Sequence, residues 1–180
     1  MWVHDSADRT ASDSCPVSAT LRRVSAIEIR RETLHSAVAR TLIGALNAEL
    51  LARYPEEGST HFRLDAEEVG TGRGAFLVAY QGGEPVGCGA VRRLDPAVAE
   101  VKRMYVVPGA RGARVGAVIL AALEAEARAL GATWLVLETG ERQPEAIALY
   151  RRAGFSVIPR FGELVDSALS LCMGKDLGPG

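Results

Sequence analysis

Apolar positions change their period along this chain, and the changes mark out its elements. From Arg23 to Arg30, Val24, Ala26, Ile27 and Ile29 alternate loosely with polar residues, the period of a strand with one buried face. Between Ser36 and Tyr54 the period lengthens: Leu42, Ile43, Leu46 and Leu50 recur three and four apart. Ser36 caps that run and Pro55 stops it, which predicts a helix laying one face on a sheet. After a charged stretch with LDAEEV as a short helix, Ala75 to Tyr80 and Pro85 to Arg92 read as strands. Gln81, Gly82, Gly83 and Glu84 join them as a tight turn, so the two pair as an antiparallel hairpin. Glu100 to Val107 is the next strand.

A helix follows from Arg114 to Leu130, ended by Gly131. It buries Val115, Val118, Ile119, Ala122 and Leu123 and shows Glu124 and Arg128 to water. Glu126 falls near the middle of that apolar face, which predicts that the last turns leave the sheet. Trp134 to Leu137 is a buried strand of the kind a crossover helix delivers parallel to its predecessor, completing a β-α-β unit. Pro144 suits the first turn of a short helix to Arg152, with Gly154 as breaker; Phe155 to Ile158 and Ala168 to Met173 make a last strand pair. Together these elements predict an α/β (α+β) fold, a mixed and mostly antiparallel sheet flanked by helices, without repeats. A single domain over residues 21–177 is expected, preceded by a loose arm over residues 1–20, where Asp5, Asp8 and Asp13 lie among serines and threonines.

Composition narrows the classes. The chain has 180 residues, the length of one sizeable domain. A net charge of −1 argues against a generally basic surface, so no nucleic-acid partner is expected. No apolar run reaches the ~20 residues that span a bilayer, and Met1 to Ala19 has no apolar signal core, so a soluble cytoplasmic protein without membrane partners is implied. Cys15, Cys88 and Cys172 are odd in number and scattered, as reduced thiols are. With His4, His35 and His61 they offer no zinc spacing, and no metal is expected.

The most informative stretch is Val101 to Ala117, VKRMYVVPGARGARVGA. After Arg111, the run Gly112, Ala113, Arg114, Val115, Gly116, Ala117 sets small side chains at a helix start. Unpaired N–H groups and the helix dipole favour an anion there, and Arg111 and Arg114 add charge. Read alone, the loop is equally an ordinary strand-to-helix turn with solvated arginines. Gly70, Gly72 and Gly74 suggest a dinucleotide loop but precede a strand where such a loop must open a helix. No Gly-Lys-Ser/Thr follows the Arg111 loop, which disfavours a nucleotide hydrolase.

Arg111 to Gly116 resembles the acetyl-CoA loop of the GCN5-related N-acetyltransferase (GNAT) family: Gln or Arg, two residues, Gly, one residue, Gly or Ala. Arg114 stands where that family usually has glycine. VKRMYVV is similar to the family's fourth strand, and AIALYRRAGF, Ala146 to Phe155, to its tyrosine helix; the resemblance covers most of Leu77 to Met173. It implies a GNAT-like sheet whose central β-α-β unit binds acetyl-CoA as co-substrate. The loop from Arg111 to Ala117 would cradle the pyrophosphate. The strands at Tyr105 to Val107 and Leu135 to Leu137 would splay apart, freeing backbone groups of Tyr105, Val106 and Val107 for the pantetheine arm, with the N–H near Val106 polarising the thioester. Gln143 stands where the family commonly has a cofactor-contacting asparagine, and is otherwise a polar helix-leading residue.

Glu100, at the start of the central strand, matches an acidic base acting on the acceptor amine, or is a surface glutamate. Tyr150 matches the acid that returns a proton to the CoA thiolate, or is a core aromatic. Cys88 has no neighbouring histidine to activate it, which disfavours a cysteine nucleophile. The implied activity is acetyl transfer from acetyl-CoA to a primary amine by direct attack in a ternary complex. The alternative is a catalytically silent CoA-binding sensor of the same fold, which Arg114 motivates. The family often dimerises, so a homodimer is a further expectation.

Overall fold

The computed structural model describes residues 26–55, 64–162 and 169–178. The predicted arm, the opening of the first strand and Ala168 lie outside them. The elements are β1 Ile27–Arg31, α1 Ala37–Arg53, β2 Gly74–Gln81, β3 Glu84–Arg93, β4 Val98–Val106, α2 Val115–Ala129, β5 Trp134–Gly140, α3 Pro144–Arg152, β6 Ser156–Val157 and β7 Ser170–Asp176. The LDAEEV stretch forms a 3₁₀ turn over Ala66–Val69.

Among the described residues seven strands form one sheet in the order β1-β2-β3-β4-β5-β7-β6. The pairs are antiparallel except β4 with β5, which the crossover through α2 makes parallel. This is the predicted mixed sheet. Gly82 and Gly83 close the β2–β3 hairpin with φ of 62° and 88°, the positive pair that a two-residue hairpin turn needs. Ser36 caps α1, its side chain accepting from the Ala39 N–H at 3.1 Å.

One core lies between the sheet and α2 and α3, built on Val115, Ile119, Leu123, Leu135, Leu137 and Phe155. A second lies under α1, where Ala39, Leu42 and Leu46 meet Phe76, Val78 and Tyr105. Helix α2 differs from expectation at five positions. Val118 is only partly buried, while Leu120 and Ala127 are buried. Glu124 does not face water: Lys175 of β7 binds its carboxylate at 2.7 Å. Glu126 does not drive the helix off the sheet, because Arg31 on edge strand β1 pairs with it and Ala127 stays buried. Helix α2 ends in paired bonds from Gly131 N to Arg128 O (2.8 Å) and Ala132 N to Ala127 O (3.0 Å), with Gly131 at φ 86°. Trp134, predicted buried, is 36% exposed at the start of β5.

Two irregularities in β4 position the site. Ala90 pairs with Lys102 but Cys88 with Tyr105, so Arg103 and Met104 together oppose Gly89. This is a bulge, and Arg103 takes φ 58° to make it. The bulge swaps faces: Ala99 and Val101 lie under α2, and beyond it Met104 and Val106 do, while Tyr105 turns toward α1. The second irregularity is the end of the parallel ladder. Pairing runs from Val98↔Trp134 to Val101↔Leu137 and stops, although β4 continues to Val106 and β5 to Gly140.

Candidate active site

The strands therefore do separate, but three residues later along β5 than expected. Leu135 to Leu137 are zipped to Ala99 to Val101, and the gap opens between Lys102–Val106 and Glu138–Gly140. Val107 N donates to Val86 O at 3.0 Å, so the ladder alternation turns the Val106 N–H and C=O away from β3 and toward the gap. That same bond occupies the Val107 N–H. Val107 is thus not a free pantetheine contact, and it lies outside the cavity described next.

A cavity of about 760 Å³ runs from Met104, Tyr105 and Val106, on the β4 side of this gap, to the start of α2, between α1 and α3. Tyr105, Val106, Gln143 and Tyr150 line it at one end, and Arg111, Gly112, Arg114, Val115, Gly116 and Ala117 at the other. Ala113 and Glu100 do not. At the loop the chain coils through Gly112 (φ 81°) and Arg114 (φ 64°) into α2. Arg114 is its N-cap, with no side-chain cap bond, and its carbonyl accepts from Val118 N at 3.1 Å. Val115, Gly116 and Ala117 therefore present N–H groups that have no acceptor within the helix. A Cβ on Gly116 would come within 3.2 Å of Leu149, so α2, α3 and β4 meet as closely as a glycine allows. An open helix N-terminus at the end of a long cavity fits a pyrophosphate with an extended arm.

The cationic part of that cradle is arranged otherwise than the sequence suggests. Arg111 does not project toward the helix start: its guanidinium binds Glu49 of α1 at 2.6 Å, and its Nε donates to the Val106 carbonyl at 3.0 Å. The hydrogen bond with Glu49 raises its pKa further. Glu49 also holds Arg53, and Arg53 reaches Glu145 of α3, so a charged chain crosses the cavity from loop to helix. Arg114 is exposed.

Tyr150 projects from α3 into the core under α2, where its ring packs on Phe155 at 5.9 Å. It is 5% exposed and lines the cavity, and among the described residues its hydroxyl has no hydrogen-bond partner. Burial raises its pKa far above the ordinary tyrosine value, and the Glu138 charge adds to this. The hydroxyl thus stays protonated throughout the working range. Gln143 caps α3 through its carbonyl, which accepts from Ile147 N at 3.0 Å; no side-chain bond caps the helix.

Glu100 is where expectation and structure part. It is not a surface group at a strand entrance but is 2% exposed, two residues into β4. Its carboxylate is held by Arg92 at 2.6–2.7 Å and faces Lys102 at 3.6 Å, and Arg92 also binds Glu68. A carboxylate so committed joins β3 to β4 and does not meet the cavity. The first acidic residue beyond the zipped pairs is Glu138, which like Glu100 is not among the residues lining the cavity and lies at the β5 edge of the gap; the sequence reading passed it over. Its signal was slight: a lone carboxylate ending the apolar run WLVL.

The sequence profile of the Acetyltransferase (GNAT) family matches residues 41–155. An IAA acetyltransferase of Azospirillum brasilense is 43% identical over 153 residues, covering 84% of this chain and 98% of that protein. A Klebsiella pneumoniae protein assigned as an acyl-CoA N-acyltransferase superposes with TM-score 0.71 at 34% identity, over 84% of this chain and 98% of its own. A GNAT acetyltransferase from Elizabethkingia anophelis with acetyl-CoA bound shares the fold, with TM-score 0.61 at 18% identity, over 83% and 97% of the two chains.

Proposed function

Because the chain belongs to the acetyltransferase (GNAT) family and is an acetyl-CoA-dependent N-acetyltransferase, we propose that it delivers the acetyl group to a primary amine by direct attack in a ternary complex. The observation that carries this reading is the Tyr150 hydroxyl, without a partner among the described residues, set in a cavity that begins at an open helix N-terminus and ends at the stretch of β4 that has left β5. Each end has its task. The N–H groups of Val115, Gly116 and Ala117 would hold the pyrophosphate. The N–H of Val106, whose carbonyl already accepts from Arg111, would face the thioester and draw charge onto its oxygen, a kind of donor worth about 3 to 4 kcal/mol in acyl transfer. Gln143, with its side chain unused as a cap, would reach the same arm.

Tyr150 is the acid. Its raised pKa keeps the hydroxyl protonated and able to donate as charge builds on sulfur; full transfer is uphill, since a thiolate is a weaker base than this phenolate, and is drawn forward by the surplus proton of the nitrogen, which restores the hydroxyl. A cysteine relay is disfavoured: Cys88 is buried, and burial pushes its thiol up to about 12. The test is CoA release from acetyl-CoA across a panel of primary amines, amino acids, aminoglycosides and lysine peptides. Turnover with at least one acceptor, with initial rates intersecting when both substrates are varied, is the expected result. Parallel lines, the mark of an acetyl-enzyme, would sink direct attack.

A further inference from the structure

Resting on the acetyltransferase reading above, we propose that Glu138 is the carboxylate that receives the acceptor's ammonium at the gap and takes its proton, with Ser170 holding it in place. Three independent features carry this. The first is position. Leu137 makes the last ladder pair with β4, and Glu138 is the first residue beyond it. The second is face. Leu135 and Leu137 lie under α2, so Val136 and Glu138 point to the opposite side of the sheet, the side of α1. Tyr150 approaches from the α2 side. Acid and base therefore stand on opposite sides of one opening, which lets an amine enter from one face and a thiolate leave on the other.

The third feature is partnering. Ser170 Oγ donates to Glu138 Oε1 at 2.8 Å, while among the described residues Oε2 has no partner. Glu100, by contrast, has both oxygens facing cations. Glu138 is half-buried, so it is both fixed and reachable. Its charge acts on the Tyr150 hydroxyl of α3, the Arg103 guanidinium of β4 and the Cys172 thiol of β7, with Glu100 and Arg160 also around Cys172. Burial raises the Cys172 thiol as well, so it stays protonated beside Glu138.

The step balances. The ammonium gives one proton to Glu138, and the freed lone pair forms the C–N bond to the thioester carbon. The C–S bond breaks with its electron pair on sulfur, and Tyr150 protonates that thiolate. The nitrogen's surplus proton returns to the tyrosinate, and Glu138 releases its proton to water. The products are an acetamide, CoA thiol and one proton.

The test is Glu138→Gln, which keeps the size and the Ser170 contact. With an amine found in the panel, kcat/KM should fall at least about 100-fold at pH 7 while acetyl-CoA affinity by calorimetry stays within about twofold. The pH profile separates a proton acceptor from a packing residue. Wild type, which takes the proton from the ammonium itself, should change little with pH while the amine is charged. The variant, dependent on free amine, should keep rising about tenfold per pH unit toward the amine's own pKa. Glu138→Asp should recover part of the rate. A Gln variant within about threefold of wild type with the same profile would overturn the assignment, as would an equal loss of acetyl-CoA affinity. If that variant does not fold, Ser170→Ala takes its place: a fall of about 3- to 10-fold with a steeper rise toward the amine's own pKa is expected, and an unmoved profile overturns it. A wild type that binds acetyl-CoA yet acetylates no amine removes the acetyltransferase reading itself, whereas an active wild type with an indifferent Gln variant removes only Glu138.

Discussion

Strands β4 and β5 are one pair with two characters. Over Val98 to Val101 they are zipped, and the polar group between the sheets of side chains, Glu100, is bound to Arg92 and Lys102. Beyond Val101 they part, and the polar groups that emerge are left incomplete: the Tyr150 hydroxyl and Glu138 Oε2 lack partners among the described residues, and the Val106 carbonyl is borrowed by Arg111. Burial does not separate the two, since Tyr150 at 5% exposure is almost as enclosed as Glu100 at 2%. Satisfaction does. A buried polar group with all its bonds made belongs to the fold, and one with bonds to spare is available to a ligand.

The largest expected effect is on the open side. Tyr150→Phe keeps the ring against Phe155 and deletes the hydroxyl, so turnover should fall by ~10²–10⁴ with CoA affinity nearly intact. Steady-state rates at saturating substrates, on the folded variant, decide it; a turnover within about threefold of wild type makes Tyr150 a core aromatic. The alkaline side sharpens the point. An ordinary tyrosine would ionise near pH ~10 and cut the rate there, but the raised pKa moves that fall beyond it, so wild-type activity should show no loss around pH 10 from this group. The linked stability has a definite sign. Above pH ~10 the unfolded chain ionises Tyr150 while the fold keeps it protonated, so the native state binds more protons and stability declines with rising pH. That decline should be absent in Tyr150→Phe.

On the zipped side the expected loss is of stability. Glu100→Leu leaves Arg92 partly buried with Glu68 alone, and breaking such a pair costs about 3 kcal/mol, the low end of the buried range because Arg92 keeps some solvent. For a chain of this size that lowers Tm by roughly 6–12 °C, readable by calorimetry. Acetyl-CoA affinity at a temperature where the variant is folded should be unchanged. A stable variant with slow chemistry would return Glu100 to the role of base and erase the contrast between the two ends.

A smaller effect is expected at the charged chain across the cavity. Arg111 was legible as a cation beside the phosphate loop, yet its partner Glu49 is 62 positions away in sequence, which no local pattern reports. Glu49→Gln should release Arg111 toward the loop and tighten CoA binding about 2- to 5-fold at low salt, the size of one partly screened charge contact. Arg111→Ala should weaken it by a similar factor, and added salt should weaken it in wild type. Equal affinities in titration calorimetry for all three proteins would take Arg111 out of the site.

The same distinction explains what could be read from the residues beforehand. Periodicity carried the hairpin, the crossover helix, its stop at Gly131 and the parallel strand, because each rests on contacts between neighbours in sequence. The tyrosine helix and the phosphate loop were legible because their spacing is local. The bulge was not: Arg103 adopts φ 58° with no glycine to announce it, so the face swap that turns Tyr105 toward α1 leaves no trace in VKRMYVV. Nor was the fate of the carboxylates. Whether Glu100 or Glu138 is left with an open oxygen depends on Arg92 and Ser170, which meet them only across the sheet, and on Lys102 two residues along β4 from Glu100.

Arg114 gives the smallest expected effect and tests the loop itself. It holds φ 64° as the N-cap of α2, a left-handed conformation that costs a residue with a Cβ about 1–2 kcal/mol and costs glycine little. Its side chain is exposed and makes no cap bond, so the strain is not offset by the helix it begins. Arg114→Gly should therefore raise stability, by about 0.5–1 kcal/mol once the greater freedom of glycine in the unfolded chain is subtracted, or a Tm gain of roughly 1–4 °C. If the arginine is kept for the phosphates, the same variant should lose CoA affinity about 2- to 10-fold while gaining that stability, and the opposite signs of the two changes are the signature. A variant that gains stability and binds CoA more tightly would mean that the side chain obstructs the cradle. One that loses stability would mean that the left-handed turn is held by Arg114 and not merely endured.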